Sequence, residues 1–548
     1  MSLNDNRAKK KQTIFWRLSL STLLESAMRT DNQPISASIS AVTPDLERHD
    51  LRRFLADLGP DEIQVIRDPI DLAEVAACLE GNPKAVLMER PSDEGVALCG
   101  NVSGSRKRLA KAFNTSPEKL LAEVLHRLKN KGEVVEIPRD MAPVQQVVLT
   151  GDDCDFTCLP VHLQHGLDGA PYISASIDFV VDPGTGLTNV GVRRLMLRGR
   201  RTAGIDLMAP SDLRAIYIAQ AQRGERLPIA FAVGSHPIDH VAATQRIPGD
   251  ELALLAALRG EPLGVVKCVT NDLLVPADAQ YILEGYLDEC GHVEPEGPYG
   301  EFLGYYGVVK KNPVFHLTAI THRRDAVFQT ASISGPTMAY TDTAQISAFR
   351  TEVTVWRALE MAVREVTAVY TSPASGGIFN VRVAMRQRVP GEARNAIAAV
   401  FACLANVKHV FVVDPDIDIF SDEQMEWALA TRFQADRDFV IQTGMRAMPL
   451  DPSLNGSHQT AKAGFDLTLP FLRGDTPRPM EHRIPAPPTL DGVRFESLQA
   501  ALEHGPKLFV ELMAAINSRD GREVVRWLED VASSRRVLRD SEGRYFFA

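Results

Sequence analysis

Glu294-Pro-Glu-Gly-Pro-Tyr-Gly-Glu301 is the stretch from which the rest of the sequence can be organised. It places three carboxylates on a backbone that two prolines and two glycines restrict. A Gly-Pro pair is typical of a turn, so Glu296 and Glu301 can face one site without lying on a helix. Two interpretations remain open at this point: surface carboxylates on a hairpin, or an acid/base pair held by the loop.

A candidate partner for these acids lies upstream, in Thr188-Asn-Val-Gly-Val-Arg-Arg194. This segment follows the turn signal Asp182-Pro-Gly-Thr-Gly186 and supplies an amide and two guanidinium groups. A carboxyl group in a dry pocket can hold a proton near neutral pH, whereas one beside an arginine stays ionised. Arg194 would therefore keep one glutamate charged while another carries the proton.

Outside these two segments, the distribution of β-rich and helical runs along the sequence predicts four regions. Between about Pro143 and Ile333, β-rich runs bounded by turns predict a mixed sheet or barrel. Helical and strand-like runs alternate before it and after it, which predicts α/β layers on both sides. A helical stretch from Leu498 to Leu538 follows the proline-rich segment Pro477 to Pro488 and predicts an arm that packs on a neighbouring subunit. The predicted boundaries are 1–135, 136–335, 336–490 and 491–548.

Composition narrows the class of protein. The formal net charge of −10 and the pI near 5.8 argue against nucleic acid as the main partner. No run of 18 or more apolar residues occurs, and Thr13 to Met28 contains charges and hydroxyls, so neither a signal peptide nor a membrane anchor is predicted. Cys154 and Cys158 form a C-x3-C pair with no second pair to complete a zinc site, which indicates reduced thiols and a cytoplasmic protein.

Three further patterns are candidate ligand sets. Asn189 and Glu251 carry oxygens of the kind that bind Mg, Mn or K ions, although their separation alone does not single them out. His236 and His240 have zinc-like spacing but no third ligand, and Pro237 indicates a helix start between them. Asp414-Pro-Asp-Ile-Asp418 imitates a calcium loop without its glycine and distal glutamate, which favours a strand-end loop.

The sequence resembles the UbiD decarboxylases. The resemblance rests on Leu283-Glu-Gly-Tyr286 and Pro295 to Glu301, preceded by Val265-Val-Lys-Cys268 and Thr270-Asn-Asp272. It extends over most of the chain, through these further segments: Asp168 to Ile173, Thr188 to Arg194, Arg223 to Pro228 and Val412 to Asp418.

The resemblance implies an α/β multidomain fold. A central split-β-barrel flavin-binding domain would be flanked by a small N-terminal α/β unit and a C-terminal α/β oligomerisation domain with a terminal helix. The implied activity is reversible, non-oxidative decarboxylation of an aromatic, heteroaromatic or α,β-unsaturated acid. It would proceed through a covalent substrate adduct with prenylated FMN, and the hard chemistry would belong to that cofactor. Glu301 would be the proton donor, in a Glu-Arg-Glu network with Arg194 and Glu296.

The same resemblance implies a cofactor site. The backbone of Val192, Arg193 and Arg194 would lie against the flavin, and Asn189 and Glu251 would hold an ion bound to its phosphate. Mn²⁺ or Mg²⁺ is expected, with K⁺ nearby. Many members have a histidine as third ligand, where this sequence has Asp212, which can also bind a hard cation. The lysine that contacts phosphate in some relatives has no assigned counterpart: its position falls near Ala402, and Lys408 is close.

The substrate remains open among furan-type and pyrrole-type acids, hydroxybenzoates and phthaloyl thioesters. By position in the family, its pocket would be shaped by Gln245 and Arg246, by Ser334 to Met338, and by Asp436 to Met445. Carbon dioxide, a flavin prenyltransferase and a homo-oligomer, dimeric or hexameric, are the other expected partners. Two alternatives remain: a non-catalytic flavin-binding subunit of a carboxylase complex, or an FMN oxidoreductase on a split-barrel core.

Overall fold

The structure is a computed structural model that describes residues 43–91, 95–246, 248–403, 406–471 and 487–548. The expectations for Thr13 to Met28 and for most of the proline-rich segment after Pro477 lie outside these ranges. The chain divides into two compact units, Met1–Phe471 and Leu472–Ala548. Among the described residues, no helix is long and apolar enough to cross a membrane.

The first unit begins with a small α/β layer. Its elements are α1 (Leu51–Ala56), β1 (Ile63–Ile66), α2 (Val75–Leu79), β2 (Ala85–Met88), β3 (Ala97–Gly100), α3 (Arg106–Ala112) and α4 (Leu120–Arg127). β1 and β2 pair in parallel, and β2 and β3 pair antiparallel. The alternation of helical and strand-like runs expected before the barrel region is confirmed.

The central region contains most of the strands. In chain order its elements are β4 (Val134–Glu136), β5 (Val147–Thr150), β6 (Tyr172–Val181), β7 (Thr188–Leu197), β8 (Thr202–Ile205), α5 (Asp212–Gln222), β9 (Leu227–Val233), α6 (Pro237–Ala242), α7 (Glu251–Arg259), β10 (Leu263–Lys267), β11 (Leu274–Pro276), β12 (Tyr281–Leu287), β13 (Glu294–Glu296), β14 (Tyr299–Glu301), β15 (Tyr305–Gly307), β16 (Lys310–Asn312), β17 (Val314–His322) and β18 (Val327–Gln329).

Six of these strands close into a barrel. The order is β12-β9-β6-β7-β8-β17, and β17 pairs back onto β12, so the sheet has no free edge at this point. Large apolar side chains fill its interior, including Ile173, Phe231, Leu283 and Phe315. The barrel predicted from the β-rich texture is confirmed.

Two small hairpin sheets leave the barrel between β12 and β17. β13 pairs antiparallel with β16, and β14 pairs antiparallel with β15. The stretch from Glu294 to Glu301 therefore forms two short strands joined at Gly297–Pro298, whose peptide bond is cis. The last strand of the region, β18, pairs in parallel with β3 of the N-terminal sheet.

A second α/β layer completes the first unit. It contains α8 (Asp342–Ala362), β19 (Val366–Thr371), β20 (Asn380–Met385), α9 (Glu392–Ala402), β21 (His409–Val413), α10 (Asp422–Arg432), β22 (Phe439–Arg446) and β23 (Gln459–Asp466). The sheet order is β19-β20-β21-β23-β22, with the three central strands parallel. One apolar core collects buried side chains from all three regions, such as Leu51, Ile177 and Phe349.

The second unit has its own apolar core. Its elements are α11 (Leu498–His504), α12 (Phe509–Ala515), α13 (Gly521–Ala532), β24 (Val537–Arg539) and β25 (Tyr545–Phe547). Leu498, Leu502, Leu512 and Val524 are buried in it. The helical stretch expected from Leu498 to Leu538 consists of three short helices, and its last two residues lie in the first strand of the β-hairpin.

Candidate active site

The barrel strand β7 and the two hairpins bring the predicted acids and arginine together. Arg194, on β7, lies with its Nε 3.2 Å from Oε1 of Glu296. Its Nη1 and Nη2 lie 3.2 Å from the two carboxylate oxygens of Glu301. Glu296 is 1% exposed and Glu301 is 5% exposed, so both acids are withdrawn from water. The surface-hairpin interpretation of this pair is thereby excluded.

Three polar residues that the sequence did not single out join this group. Asp206, which follows β8, accepts a hydrogen bond of 3.0 Å from Nη2 of Arg194. Lys310 lies 3.2 Å from Asp206 and 3.8 Å from Glu301. Asn312, two residues further along β16, lies within 3.4 Å of carboxylate oxygens of both Asp206 and Glu296. The register of β13 on β16 places Lys310 directly opposite Glu296.

Two tyrosines form the floor of the network. The guanidinium carbon of Arg194 lies 4.4 Å above the ring of Tyr299, a cation–π distance. Tyr172 packs on Tyr299 with ring centroids 4.3 Å apart and donates a 3.0 Å hydrogen bond to Oε1 of Glu296. Tyr299 in turn donates to Gln164 at 2.6 Å. The edge of the Arg194 guanidinium is thus held by carboxylates, and one of its faces by an aromatic ring.

Burial and charge act against each other in this group. Burial disfavours the charged form of Arg194, but the carboxylates of Glu301, Glu296 and Asp206 outweigh it and raise the pKa of Arg194 above its ordinary value. Burial also opposes ionisation of Asp206, yet Arg194 and Lys310 lower its pKa. Burial, followed by the charge of Glu296, raises the pKa of Tyr172. Arg194 and Asp206 are therefore ionised at neutral pH, and Tyr172 is a neutral donor.

A second polar group lies near the start of β7, beside the first turn of α7. Oε2 of Glu251 accepts hydrogen bonds from the backbone N–H of Val190 at 2.5 Å and from Nδ2 of Asn189 at 3.0 Å. The N-cap residue Asp250 accepts from the N–H of Thr188, which ties the helix start to the strand. Oδ1 of Asn189 is buried and has no hydrogen-bond partner among the described residues. Burial raises the pKa of Glu251 to about 7.

Asp178 extends this second group, and the sequence did not predict it. It is fully buried on β6 opposite Gly191, and neither carboxylate oxygen has a hydrogen-bond partner in the described part of the chain. Nε of Arg193 lies 3.4 Å from Oδ1. A Cβ at Gly191 would stand 2.9 Å from Asp178 and 3.1 Å from Arg193, so this glycine makes room for the pair. Burial raises the pKa of Asp178, and its charge also raises that of Glu251.

Asp212 is the first residue of α5 and is exposed. It stands close enough to Glu251 for its charge to contribute to the raised pKa of that residue. No group of three or more His, Cys, Asp or Glu side chains with the spacing of a metal site occurs among the described residues. Asn189, Glu251 and their acidic neighbours nevertheless form a cluster of oxygen donors with unsatisfied atoms, which fits a hard cation.

An open cleft lies between residues of the N-terminal layer and residues of the barrel region, and its lining does not include the acids of the network. Its wall includes His162, Gln164, His165, Ile333, Ser334 and Tyr340. Gln164 connects the cleft to the acids because it accepts the hydrogen bond from Tyr299. Burial lowers the pKa of His162 to about 4, so that imidazole is neutral at pH 7. Ser334 and Thr337, expected to shape a substrate pocket, do line this cleft.

The remaining candidate ligands have structural surroundings. His236 is the N-cap of α6 and accepts from the N–H of Ile238, while His240 contacts Gln329 at 3.3 Å. Burial lowers the pKa of both histidines. Asp416 pairs with Arg432 at 2.6 Å in the loop after β21. These contacts agree with the interpretations that favoured structural roles.

Other expected positions are scattered. Gln245 is buried and Arg246 is exposed in the loop between α6 and α7. The segment from 436 to 445 lies largely on the exposed strand β22. Lys408 donates to Asp451 at 2.7 Å. Cys154 is buried and Cys158 is exposed.

Three family models match the chain in succession. All three are described as domains of 3-octaprenyl-4-hydroxybenzoate carboxy-lyase: the N-terminal domain at residues 60–128, the Rift-related domain at 135–336 and the C-terminal domain at 344–467. The chain is also 35% identical over 411 residues to an anhydromevalonate phosphate decarboxylase from Methanosarcina mazei, a match covering 74% of this chain and 92% of that protein. The chain belongs to the UbiD family.

Solved UbiD-class structures have the same fold. HmfF from Pelotomaculum thermopropionicum, in complex with FMN, superposes with a TM-score of 0.75 at 33% identity, covering 80% of this chain and 98% of HmfF. The vanillic acid decarboxylase of Sedimentibacter hydroxybenzoicus gives 0.72 at 27% identity, covering 80% and 96%. The 3,4-dihydroxybenzoic acid decarboxylase of Klebsiella pneumoniae gives 0.71 at 26%, covering 78% and 97%.

Membership of the UbiD family makes this protein a carboxy-lyase and confirms the multidomain α/β fold with its central barrel. The matched UbiD domains end at residue 467, before the second compact unit begins.

Proposed function

We propose that the protein catalyses reversible, non-oxidative decarboxylation of an aromatic, heteroaromatic or α,β-unsaturated carboxylic acid with prenylated FMN. Glu301 is the proton donor, and Arg194 and Glu296 complete the catalytic network. The observation that carries this proposal is that nitrogen atoms of Arg194 lie 3.2 Å from carboxylate oxygens of two buried glutamates. A non-catalytic flavin-binding protein has no need of such an arrangement.

The charges of the network support an acid that holds a proton at rest. Three carboxylates, those of Glu296, Glu301 and Asp206, share the two cations Arg194 and Lys310. The network therefore carries one net negative charge in a site that is largely closed to water. Binding of one proton neutralises that charge. We assign the transferred proton to Glu301, because that residue stands at the acid position implied by the resemblance to the UbiD family.

The residues of the network can then donate and accept the proton during the reaction. Loss of carbon dioxide from the substrate carboxylate leaves an electron pair on carbon, and that carbon takes the proton from Glu301. The glutamate becomes a carboxylate, which Arg194 stabilises through two charge-assisted hydrogen bonds. Carboxylation in the reverse direction returns the proton from substrate carbon to Glu301. Substrate and product differ by carbon dioxide and one proton, so no oxidant or reductant is consumed.

The cofactor assignment is supported by solved UbiD-class structures that contain FMN or prenylated FMN. Prenylated FMN, when bound, supplies the electron sink for loss of carbon dioxide. We assign its contacts to Asn189, to the β7 segment Val192, Arg193 and Arg194, and to Glu251. These residues lie on one strand and on the helix start tied to it.

The ion site is proposed at Asn189, Glu251 and Asp212, for Mn²⁺ or Mg²⁺ with K⁺ nearby. The unpartnered Oδ1 of Asn189 and the raised pKa of Glu251 fit this role, because both indicate oxygen atoms that have no compensating positive group beside them. The carboxylate oxygens of Asp178, which also lack hydrogen-bond partners in the described part of the chain, add two further oxygen donors nearby. Carboxylate and amide oxygens are the donors that hard cations prefer.

The remaining expectations are proposed at the level of the whole protein. The domain bounds are 1–135, 136–335, 336–490 and 491–548, and the protein is a cytoplasmic homo-oligomer, dimeric or hexameric. A flavin prenyltransferase supplies its cofactor. One UbiD-class neighbour is described as an evolved dimeric form, which supports assembly as a property of such folds.

The proposal is tested by producing the protein together with a flavin prenyltransferase. Mass spectrometry of the released cofactor should show prenylated FMN, and the loaded protein should decarboxylate an aromatic or unsaturated acid or exchange deuterium into its product. Recovery of plain FMN, under conditions that mature a UbiD-class control enzyme, would remove the cofactor assignment. Loaded protein that neither decarboxylates nor exchanges deuterium across a panel of such acids would remove the activity.

A further inference from the structure

Four cationic side chains from separate elements of the first unit form a group that we call the cation cluster. Its members are Arg246 in the loop between α6 and α7, Arg350 on α8, Arg446 at the end of β22 and Lys462 on β23. Among the described residues, none of the four has an ion-pair partner, and the side chains of the three arginines make no hydrogen bond. Lys462 donates one, of 2.8 Å, to the backbone carbonyl of Phe401.

The elements that carry the cation cluster are in contact one after another. α6 packs on α8, α8 packs on α9, and α9 packs on β23. β22 pairs antiparallel with β23, with Arg446 opposite Gln459. Phe401, which accepts the hydrogen bond from Lys462, lies in the last turn of α9. Cations that are up to about 200 residues apart in the sequence are therefore brought to one region by the packing of these elements.

Burial and like charges both act on the cation cluster. Burial lowers the pKa of the Arg350 guanidinium, and the charges of Arg246 and Arg446 lower it further. No carboxylate among the described residues offsets these effects on Arg350. Burial also lowers the pKa of Lys462, which is 3% exposed, and the charge of Arg446 acts in the same direction. Grouped cations without a counter-charge are unfavourable in a folded protein and are typical of a site that an anion completes.

The acidic residues nearest to these cations in the sequence already have partners. Glu352 accepts two hydrogen bonds from Arg106, at 2.7 and 2.9 Å. Asp451 pairs with Lys408 at 2.7 Å. The two acids at the start of α7, which follow Arg246, accept hydrogen bonds from the first residues of β7. The anion that neutralises the cluster must therefore come from another molecule.

The chemistry of the cation cluster suits a carboxylate or phosphate group. A guanidinium presents its N–H groups as a flat fork that matches two oxygens of such an anion. An ammonium has three N–H donors, so Lys462 retains two after its contact with Phe401. A polyanion would require an extended basic surface, which a chain with a net charge of −10 is unlikely to present, whereas one small anionic group needs only this cluster.

The position of the cation cluster in the sequence relates it to the substrate. Arg246 belongs to one of the segments expected to shape the substrate pocket, and Arg446 directly follows another, residues 436–445. Arg246 also precedes Glu251, the proposed ion ligand, by only five residues. Packing of α6 on α8 adds Arg350 to these two segments.

We propose that the cation cluster binds a second anionic group, a carboxylate or a phosphate, on the acid that the protein decarboxylates. The substrate is then at least a dianion, and the group held by the cluster remains in the product after carbon dioxide has left. The identity of the bound molecule as substrate rests on the proposed function. Binding of an anion at the cluster does not, because it requires no turnover.

Isothermal titration calorimetry of the full-length protein with inorganic phosphate measures the anion site directly. The unmodified protein should bind phosphate at low ionic strength, and Arg350→Gln should weaken binding about 10-fold or more, because a charge-assisted contact is lost. Arg446→Gln, at an exposed side chain, should weaken it several-fold. Arg357→Gln is the matched control, since Arg357 is an exposed arginine on the same helix as Arg350.

Absence of phosphate binding, or an equal loss of affinity in Arg350→Gln and Arg357→Gln, would overturn the proposal. Circular dichroism verifies that the variants fold. Because the variants are compared by binding alone, this outcome is distinct from a failure of the protein to decarboxylate an acid.

Paired ligands test whether the anionic group belongs to the substrate. Benzoate is compared with phthalate, isophthalate and terephthalate for binding to protein produced together with a flavin prenyltransferase. At least one of the dicarboxylates should bind about 10-fold more tightly than benzoate, and Arg350→Gln should remove that advantage. If no dicarboxylate binds more tightly than benzoate, the cluster does not serve the substrate.

Flavin content separates the substrate from the cofactor as the source of the anionic group. Arg350→Gln should retain as much flavin as the unmodified protein, measured by absorbance after release. Loss of flavin in Arg350→Gln but not in Arg357→Gln would mean that the cluster holds the cofactor phosphate, and the assignment to the substrate would be wrong.

Discussion

Nη1 and Nη2 of Arg194 are each 3.2 Å from a different carboxylate oxygen of Glu301. This two-point contact fixes the plane of the carboxylate as well as its position, because a guanidinium is flat and rigid. The third nitrogen, Nε, holds Glu296. One side chain therefore sets the geometry of both acids, and the following predictions examine what depends on it.

Glu301→Gln should abolish most turnover. The amide keeps the shape of the side chain but has no acidic proton to deliver, so a loss of about 100-fold or more is expected. Cofactor content, measured by absorbance and mass spectrometry, should stay close to that of the unmodified protein. Glu294→Gln is the matched control, since Glu294 is exposed and lies 3.6 Å from Arg198. Unchanged turnover in Glu301→Gln would remove Glu301 from the role of proton donor.

Gly307→Ala should impair the same step without touching an acid. A Cβ at Gly307 would stand 2.7 Å from Oε1 of Glu301, so the glutamate must move away from Arg194. We expect kcat to fall roughly 10-fold or more, because such displacements of a positioned acid are costly. Gly166→Ala, where a Cβ meets nothing within 4 Å, serves as control. Equal kcat values in the two variants would show that Glu301 tolerates displacement.

The stability of the metal-free and cofactor-free protein should depend on Glu251. Burial raises its pKa from the ordinary 4.5 to about 7 in the folded chain. The folded state thus binds this proton more tightly than the unfolded state does. The resulting stabilisation is fully present below about pH 4.5 and is lost as the pH rises through about 7. It amounts to no more than about 3 kcal/mol.

Urea unfolding between about pH 5 and about pH 8 measures this effect. The free energy of unfolding should fall with rising pH in the unmodified protein and fall less in Glu251→Gln, which has no carboxyl group to ionise. Parallel pH profiles for the two proteins would contradict the raised pKa. Glu294→Gln should follow the unmodified protein.

Removal of proposed ion ligands should lower metal content. Asn189→Ala should lose bound Mn²⁺ or Mg²⁺, and Asp212→Ala should lose part of it, because each substitution takes away an oxygen donor. Inductively coupled plasma mass spectrometry of the purified protein gives the stoichiometry, and released flavin is measured in parallel. Asp272→Ala, at a side chain that is 96% exposed, is the control. If metal and flavin content do not change in Asp212→Ala, Asp212 is not a ligand.

Only part of the acid network can be predicted from the sequence. Glu296 and Glu301 stand out because Gly-Pro chemistry marks their loop, and Arg194 stands out beside the turn before β7. Asp206 and Lys310 carry no such signal, since each is an ordinary charged residue at the end of a short strand. They reach the network only through barrel closure and the pairing of β13 with β16. Long-range pairing of this kind has no local pattern.

Asp178 was missed for a different reason. In the sequence, a single acid within an apolar run looks like a break in the strand. Only the pairing of Asp178 with Gly191 shows that the glycine leaves room for this side chain. In the second compact unit, the sequence shows helical periodicity but not the points at which the helices break. Gly505 and Asn517 have positive φ values and end two helices there. The hairpin after them is too short to show strand alternation.

The pairing of β18 with β3 joins the end of the barrel region to the N-terminal sheet, with Val327 opposite Ala97. During synthesis on the ribosome, β1, β2 and β3 emerge long before the strand that completes their sheet. The exposed edge of β3 must therefore wait until roughly 230 further residues have been made, a separation that slows folding. A nascent chain of this protein is consequently most exposed to aggregation before Gln329 leaves the exit tunnel, and its first region should need chaperone protection until then.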